Sequence, residues 1–306
     1  MDFKDKNIIS IDDLSKEDLL KLIEVGEVME KDGNSELMKG KMLGSLFFEP
    51  STRTRLSFEA AMMRLGGNVV GFADSGTTSI KKGESIHDTI KMVEHYCDVI
   101  VIRHPTEGTA QIAADATELP VINAGDGINQ HPTQTMVDLF TIKKTQGKID
   151  GVKVAFVGDL KYGRTVHSLS IALSHFDDVE QFFVSPNSLK MPKSYFDRLT
   201  KAGVKFSEHE KIEDVLDKVD ILYMTRIQQE RFPTKQEYEK MKGVFHLKKS
   251  MLGNVKDNMR ILHPLPRVDE ISEDVDDTPH AYYFQQAGLA VPVREALLAL
   301  VLGKAK

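Results

Sequence analysis

Short, uninterrupted apolar runs alternate with segments of helical periodicity along most of this chain. The clearest run, residues 99–102, contains only valine and isoleucine, which is typical of a parallel strand that helices cover on both faces. The segments between such runs place apolar residues three and four positions apart, which indicates amphipathic helices. Because both halves of the chain alternate in this way, we predict an α/β fold of two doubly wound domains with parallel sheets, linked by helices.

The length of 306 residues is too great for one small core and fits two domains. We predict a first domain of residues 1–133 plus 288–306 and a second of residues 134–287. Residues 134–147 form the linking helix of that second domain. The strongly apolar segment 293–302 is predicted to be a helix that packs back onto the first half.

Composition excludes several classes of protein. A net charge of −6 argues against a dedicated nucleic-acid binder. Cys97 is the sole cysteine, so no intramolecular disulfide and no cysteine-rich zinc site can form, and we interpret it as a small buried apolar residue. The sequence shows no secretory signal and no apolar stretch of membrane-spanning length. We therefore expect a cytoplasmic protein without a membrane partner, a bound metal or a cofactor.

The segment FEPSTRTR at 48–55 joins the apolar run 42–48 to a helical segment that ends near Gly66 and Gly67. A helix N-terminus offers unpaired N–H groups and a positive dipole end. This one adds alternating hydroxyls and guanidiniums, from Ser51, Thr52, Arg53, Thr54 and Arg55. We favour a phosphate site here, with Ser51 as the N-cap. The alternative is a capped surface helix whose arginines pair with acids.

Further polar residues follow the apolar runs of the first half. Arg103 comes directly after the run 99–102, where open α/β sheets bind ligands, and His104 is interpreted as a structural hydrogen-bonding residue. Residues 125–127 are predicted to form a tight turn. His131 and Gln134 lie three positions apart at the start of the next helix, on one face, where they can donate to a polarised carbonyl. The alternative is that this histidine is a cap or core residue.

In the second half, Arg164 and Arg226 also follow predicted strands, and the last strand leads into HPLPR at 263–267. Arginines at strand ends in a separate domain indicate a second anionic ligand with carboxylates. The alternative is that they pair with acids of the run 269–277. The polar composition of residues 73–83, taken alone, favours a solvated surface loop.

Taken together, several blocks resemble the aspartate carbamoyltransferase family. They are FEPSTRTR (48–55), KKGE (81–84), RHP (103–105), NAGDGINQHPTQT (123–135), GDLKYGRTVHS (158–168), MTR (224–226) and HPLPRVDE (263–270). STRTR is shared by carbamoyltransferases in general, whereas HPLPR and GDLKYGRTVHS resemble the aspartate enzyme. The ornithine enzyme typically has a cysteine where this chain has Pro264.

The resemblance implies a carbamoyltransferase-like fold and a role for each matched residue. The phosphate of carbamoyl phosphate would be bound by Ser51, Thr52, Arg53 and Thr54. Its carbonyl oxygen would be contacted by Arg103, His131 and Thr54. Its amino group would be contacted by Gln134 and the backbone of Leu265 and Pro266. The carboxylates of aspartate would be bound by Arg164, Arg226 and Gln228.

Ser79 and Lys82 would reach into the site of a neighbouring subunit. The resemblance therefore implies a homotrimer with shared active sites. It also replaces the interpretation of residues 73–83 as a loop that is only solvated. The residues implied in catalysis are Arg53, Thr54, Lys82, Arg103 and His131. A regulatory chain remains an open question. One departure from the family pattern is Ile128, where related sequences usually have serine.

The implied reaction transfers the carbamoyl group to the α-amino group of L-aspartate, giving N-carbamoyl-L-aspartate and phosphate, in de novo pyrimidine biosynthesis. The amine attacks directly, without a covalent enzyme intermediate. Two alternatives stay open: a carbamoyltransferase for another amine, such as ornithine or an acetylated amino acid, and a non-enzymatic binding protein for phosphorylated metabolites. Arg164 and Arg226 favour aspartate over ornithine, and His131 with Gln134 disfavours the binding protein.

Overall fold

The fold is seen in a computed structural model that describes residues 3–74, 76, 78–227, 234, 236 and 243–305. It divides into two compact units. Unit 1 comprises Met1–Phe140 and Leu289–Lys306, and unit 2 comprises Thr141–Gly288. Within the described ranges, no helix is both long and apolar enough to cross a membrane.

Unit 1 is built on a four-stranded parallel sheet with the order β2-β1-β3-β4. The strands are β1 Met42–Phe47, β2 Asn68–Phe72, β3 Val99–His104 and β4 Val121–Asp126. The accompanying helices are α1 Lys16–Lys31, α2 Thr52–Arg64, α3 Ile86–Val93, α4 Thr109–Asp115 and α5 Pro132–Gln146. The division between the units falls within α5, after Phe140.

Unit 2 contains a five-stranded parallel sheet with the order β7-β6-β5-β8-β9. The strands are β5 Lys153–Val157, β6 Glu180–Val184, β7 Lys205–His209, β8 Ile221–Met224 and β9 Arg260–Leu262. The helices described are α6 Arg164–Leu173, α7 Lys193–Lys201 and α8 Tyr283–Gly288. The chain then returns to unit 1 as α9, Ala290–Val301. The predicted α/β class with two doubly wound parallel sheets is confirmed.

The core of unit 1 follows from the alternation of side chains along its strands. Leu46, Ile100 and Ile102 are buried together with residues of α3 and α4, such as Ile90 and Ala113. On the helical side, α9 contacts both α1 and α2. The prediction that the final apolar segment packs onto the first half is therefore confirmed.

The order of the strands decides where polar residues meet. In unit 1, β2 lies on one side of β1 and β3 lies on the other, so the strand order reverses at β1. In unit 2, the strand order reverses between β5 and β8. Parallel strands end at one edge, and open α/β sheets bind ligands at such a reversal point. Phe47 lies beside Arg103 in register, so the segments after β1 and β3 share that edge of unit 1.

The predicted turn at 125–127 is wrong in its position. Strand β4 continues through Asp126, and the turn begins at Gly127. The Asp126 carboxylate is buried and accepts hydrogen bonds from the Gly108 N–H at 2.9 Å and the Asn123 side chain at 2.9 Å. These bonds hold residue 126 within the sheet and delay the turn.

Candidate active site

The first turn of α2 presents the polar residues of the FEPSTRTR segment. Ser51 occupies the predicted N-cap position with an extended backbone, but its hydroxyl makes no capping hydrogen bond. Thr54 is only 6% exposed, whereas Thr52 and Arg53 are exposed. A helix start whose cap hydroxyl is not used within the helix can offer that group and its backbone N–H groups to an anion.

The predicted role of Arg55 in this anion site is not supported. Its Nη1 atom lies 3.2 Å from each carboxylate oxygen of Glu59, one turn further along α2. The Ser45 hydroxyl donates to the same carboxylate at 3.0 Å. The pairing with an acid, which was the alternative interpretation of the segment, therefore holds for Arg55.

Arg103 is the last residue but one of β3 and lies beside the start of the FEPSTRTR segment, where its carbonyl accepts the Phe48 N–H at 2.9 Å. Its side chain is 12% exposed, its Nε lies 3.4 Å from the Glu49 carboxylate, and its Nη1 donates to the Ala124 carbonyl at 3.3 Å. Sequence reasoning missed Glu49, although it lies inside the recognised segment. The neighbouring His104 accepts the Thr106 N–H at Nδ1 over 3.0 Å, which agrees with its predicted structural role.

His131 immediately precedes α5 and is only 5% exposed. The Thr133 hydroxyl lies 3.4 Å from its Nδ1, and a hydroxyl that donates there leaves the proton on Nε2. Gln134 donates its amide N–H to the buried Asp138 carboxylate at 2.8 Å. That bond uses one of the two N–H groups of the Gln134 amide and holds the side chain in place, with the amide oxygen as its acceptor group.

Asp126 and Asp138 are supporting residues that sequence reasoning missed. Asp126 accepts the Asn129 amide at 3.2 Å and so holds the loop that leads to His131. For Asp138 the available signal was the four-residue spacing from Gln134, which places both side chains on one helix face. For Asp126 the available signal was an acidic residue at the end of a predicted strand.

Ser79 and Lys82 lie on the short 3-10 helix Ser79–Lys82 of unit 1. Both side chains are exposed. The helix ends at Gly83, whose φ of 92° lies in the left-handed region that favours glycine. The two side chains are thus accessible to another molecule.

In unit 2, the ends of β5 and β8 are held together tightly. The Thr225 N–H donates to the Val157 carbonyl at 2.8 Å. Gly158 has a φ of 122°, and a Cβ there would lie 2.3 Å from the Thr225 carbonyl oxygen. Arg226 follows this contact directly and Arg164 is the first residue of α6, so both arginines follow strands that flank the reversal point. Gln228 lies outside the described residues.

The loop after β9 is organised by the buried pair His263 and Glu270. The Leu265 N–H donates to His263 Nδ1 at 2.8 Å, so Nε2 carries the proton and donates to Glu270 at 2.6 Å. Burial opposes the charge of Glu270, but its hydrogen bonds to His263 and to backbone N–H groups outweigh burial and lower the pKa of the carboxyl. This network fixes the backbone around Leu265, which has a φ of 57°, and the adjoining Pro266.

Two residues have purely structural surroundings. Arg267 pairs with the Asp276 carboxylate, with Nη2 to Oδ2 at 2.6 Å. Burial raises the pKa of the Cys97 thiol to about 11, and its Sγ donates to the Val93 carbonyl at 3.3 Å. A thiol in that state is a poor nucleophile, as predicted, although Cys97 is half-buried rather than fully buried.

Comparison with known proteins covers both units. The family described as "Aspartate/ornithine carbamoyltransferase, carbamoyl-P binding domain" matches residues 6–144. Its counterpart "Aspartate/ornithine carbamoyltransferase, Asp/Orn binding domain" matches residues 150–301. The chain is 56% identical to an aspartate carbamoyltransferase catalytic subunit of Thermococcus onnurineus over 99% of each chain. It is 53% identical to one of Parabacteroides distasonis over 98% of each.

Solved structures agree with these relatives. The catalytic subunit of M. jannaschii aspartate transcarbamoylase superimposes with a TM-score of 0.90 and 49% identity, covering 97% of this chain and 99% of that one. Aspartate transcarbamoylase from Trypanosoma cruzi, in complex with N-(phosphonacetyl)-L-aspartic acid, gives a TM-score of 0.93 and 38% identity, covering 98% and 97%. The likeness therefore extends over nearly the whole length of the chain.

Proposed function

The chain belongs to the aspartate carbamoyltransferase family, and from this premise we propose that it transfers the carbamoyl group of carbamoyl phosphate to the α-amino group of L-aspartate. The products are N-carbamoyl-L-aspartate and phosphate. The main structural support is the edge of the unit 1 sheet, where the segment that leads into α2 contacts Arg103 through the Phe48 N–H and the Glu49 carboxylate. The combination of a helix N-terminus, hydroxyls and guanidiniums suits a phosphorylated substrate.

The phosphate end of the substrate is bound by Ser51, Thr52, Arg53 and Thr54. The Ser51 hydroxyl makes no capping hydrogen bond to the 13-residue helix α2. This supports the assignment, because the hydroxyl is then available to a ligand. The helix dipole adds a favourable interaction with the phosphate charge. Arg55 is left out of the ligand set because it pairs with Glu59.

The carbamoyl end is bound by Arg103, His131 and Thr54 at its carbonyl oxygen. As negative charge develops there, each well-placed donor contributes about 2.7–4 kcal/mol. The Gln134 oxygen accepts from the carbamoyl amino group, a role supported by the 2.8 Å bond from its amide nitrogen to Asp138, which orients the side chain. The backbone carbonyls of Leu265 and Pro266 are the other acceptors, and the His263 to Glu270 network keeps that backbone rigid.

The carboxylates of aspartate are bound by Arg164, Arg226 and Gln228. Its amine attacks the carbamoyl carbon directly, and the departing phosphate takes the proton. Holding two reactants in line is worth up to about 7–11 kcal/mol. Because both substrates are anions that repel each other, the reaction requires several cations, which accounts for Arg103 near the end of β3 and for Arg164 and Arg226 after β5 and β8.

Subunit association completes the proposal. Ser79 and Lys82 are exposed on a short helix, where they are free to enter the site of a neighbouring copy. The protein is then a homotrimer with shared active sites, located in the cytoplasm, that serves de novo pyrimidine biosynthesis. Size measurements of the protein with and without the other proteins of the same cell test whether a regulatory chain joins the trimer.

The identity of the amine acceptor is the decisive test. Purified protein is incubated with carbamoyl phosphate and aspartate, ornithine or no acceptor, and both carbamoylated product and released phosphate are measured. We expect product with aspartate only, since Arg164 and Arg226 match a dicarboxylate and repel the ornithine side chain. Product with ornithine would contradict the assignment of the acceptor. Tight binding of carbamoyl phosphate without product from either amine would favour a binding protein instead.

A further inference from the structure

Arg294 is a buried cation in the middle of α9, on the unit 1 side of the chain. Its residue is 2% exposed, and its guanidinium packs over the ring of Phe58 at 4.7 Å. Its Nε atom has no hydrogen-bond partner. Among the described residues, no carboxylate forms an ion pair with it. Within the described residues, therefore, no acidic side chain compensates the positive charge of Arg294.

A chain of hydrogen bonds connects Arg294 to the first turn of α2. Its Nη1 donates to the Ser57 hydroxyl. That hydroxyl in turn contacts the Arg53 carbonyl and lies 3.1 Å from the Thr54 carbonyl. Arg294 thus stands directly behind the backbone of the turn that carries Ser51 to Thr54, on the side away from solvent.

The position is energetically unfavourable for the protein alone. Burial and the nearby charge of Arg103 lower the pKa of Arg294 to about 9, which still leaves it charged at neutral pH. Replacing a buried charge by an apolar side chain of similar volume is often neutral or stabilising. Packing α9 against Phe58 therefore does not require an arginine, so the fold alone does not account for the buried charge.

We propose that Arg294 is a positioning residue whose buried charge strengthens the binding of a phosphate dianion at the first turn of α2. The inference rests on the proposed function, which places that dianion there. Water does not screen a buried charge, so it acts on the ligand through the protein without contacting it. The bound dianion supplies the counter-charge that the free protein lacks.

Inorganic phosphate is the probe that tests the inference. Its Kd is measured by calorimetry for the wild type and for Arg294→Met, Arg294→Lys and Arg64→Met. We expect Arg294→Met to bind at least about tenfold more weakly, which corresponds to about 1.4 kcal/mol. Its thermal unfolding midpoint without phosphate should stay equal or rise. Arg294→Lys, which keeps the charge, should bind within about threefold of the wild type.

The control Arg64→Met removes an exposed cation from the other end of α2 and should leave the Kd unchanged. An unchanged Kd in Arg294→Met would overturn the inference while leaving the proposed function intact. A large loss of stability in that variant would also overturn it, since Arg294 would then be needed by the fold itself. Absence of both phosphate binding and turnover in the wild type would instead contradict the proposed function.

Discussion

Arg53 and Arg55 have the same side chain two positions apart, yet their surroundings differ completely. Arg55 is bound by both oxygens of Glu59, whereas Arg53 projects from the exposed first turn of α2. The alternation of hydroxyls and arginines could not separate the two. The spacing of four from Arg55 to Glu59 was the available signal for an ion pair on one helix face. The role of Arg53 in binding phosphate stays a prediction.

Arg53→Ala tests that role. We expect kcat/KM for carbamoyl phosphate to fall at least about 100-fold, because a charged donor to the leaving phosphate is lost. The free energy of unfolding should hardly change, since the side chain is exposed. The matched control is Arg64→Ala at the other end of α2, which should keep full activity. Near-normal turnover in the Arg53 variant would exclude this residue from the site.

His167 is expected to make the stability of the protein depend on pH. Burial lowers the pKa of this histidine from 6.5 to about 4, while its ring stacks on Tyr195 and its Nε2 lies 2.8 Å from the Leu160 carbonyl. The unfolded chain therefore binds the proton more readily than the folded one, and stability falls as the pH drops through 6.5 toward 4. Between pH 7 and pH 5 we expect a loss of about 2 kcal/mol from this group.

Urea unfolding followed by circular dichroism at the two pH values measures that loss. The variant His167→Asn lacks the titrating group and should show a pH-dependent change that is smaller by this amount. Equal changes in the two proteins would mean that His167 does not titrate as its burial implies.

Hydrophobic periodicity determines where the helices and strands of this chain lie, but hydrogen bonds from other residues determine where some strands end. Strand β4 extends through Asp126 because the buried carboxylate is bound by Gly108 and Asn123, which lie on other segments or earlier in the strand. Likewise the end of β5 is fixed by the approach of Thr225. Local composition at 125–127 favours a turn, but the hydrogen bonds to the Asp126 carboxylate, one of them from the separate segment at Gly108, shift the start of the turn to residue 127.

Gly158→Ala tests how tightly the ends of β5 and β8 are joined. An added Cβ would lie 2.3 Å from the Thr225 carbonyl oxygen, at a φ of 122° that disfavours any side chain. We expect a loss of at least about 2 kcal/mol in the free energy of unfolding. The KM for aspartate should also rise, because Arg226 follows the displaced residue.

The matched control is Gly253→Ala, where a Cβ would meet no atom within 4 Å and φ is −67°. That substitution should be neutral or slightly stabilising. A Gly158 variant as stable as the Gly253 variant would show that the β5 and β8 ends can relax without cost.

At the scale of the whole molecule, the proposed trimer implies that each active site draws residues from two copies. Arg53 belongs to one chain of a site and Lys82 to its neighbour. Two inactive variants, Arg53→Ala and Lys82→Ala, should therefore regain activity when they are dissociated, mixed and reassembled. Some sites in the hybrids then carry neither substitution, so the activity should clearly exceed the sum of the two parents.

A second mixture serves as the control for this recovery. Arg53→Ala and Thr54→Ala lie on the same chain of the site, so each site of their hybrids keeps one lesion and activity should stay low. Equal activity of the two mixtures would contradict shared sites. Size-exclusion chromatography of each reassembled sample checks that trimers have formed.

The amino-acid sequence by itself determined the class of the fold, the positions of its strands and helices, and the polar segments at their ends. These properties follow from local periodicity and from residue types such as the glycines after α2, which act within a few positions. It also carried the family resemblance, through blocks such as FEPSTRTR and HPLPR.

Only the tertiary structure decided which polar groups meet. Glu49 beside Arg103, Gly108 bound to Asp126, and Arg294 behind the first turn of α2 all depend on segments that are separated along the chain. Residues 293–302 read simply as an apolar helix, and nothing local distinguishes a buried Arg294 from an exposed one. Burial and charge compensation are properties of packing, so they arise only when the distant segments are brought together.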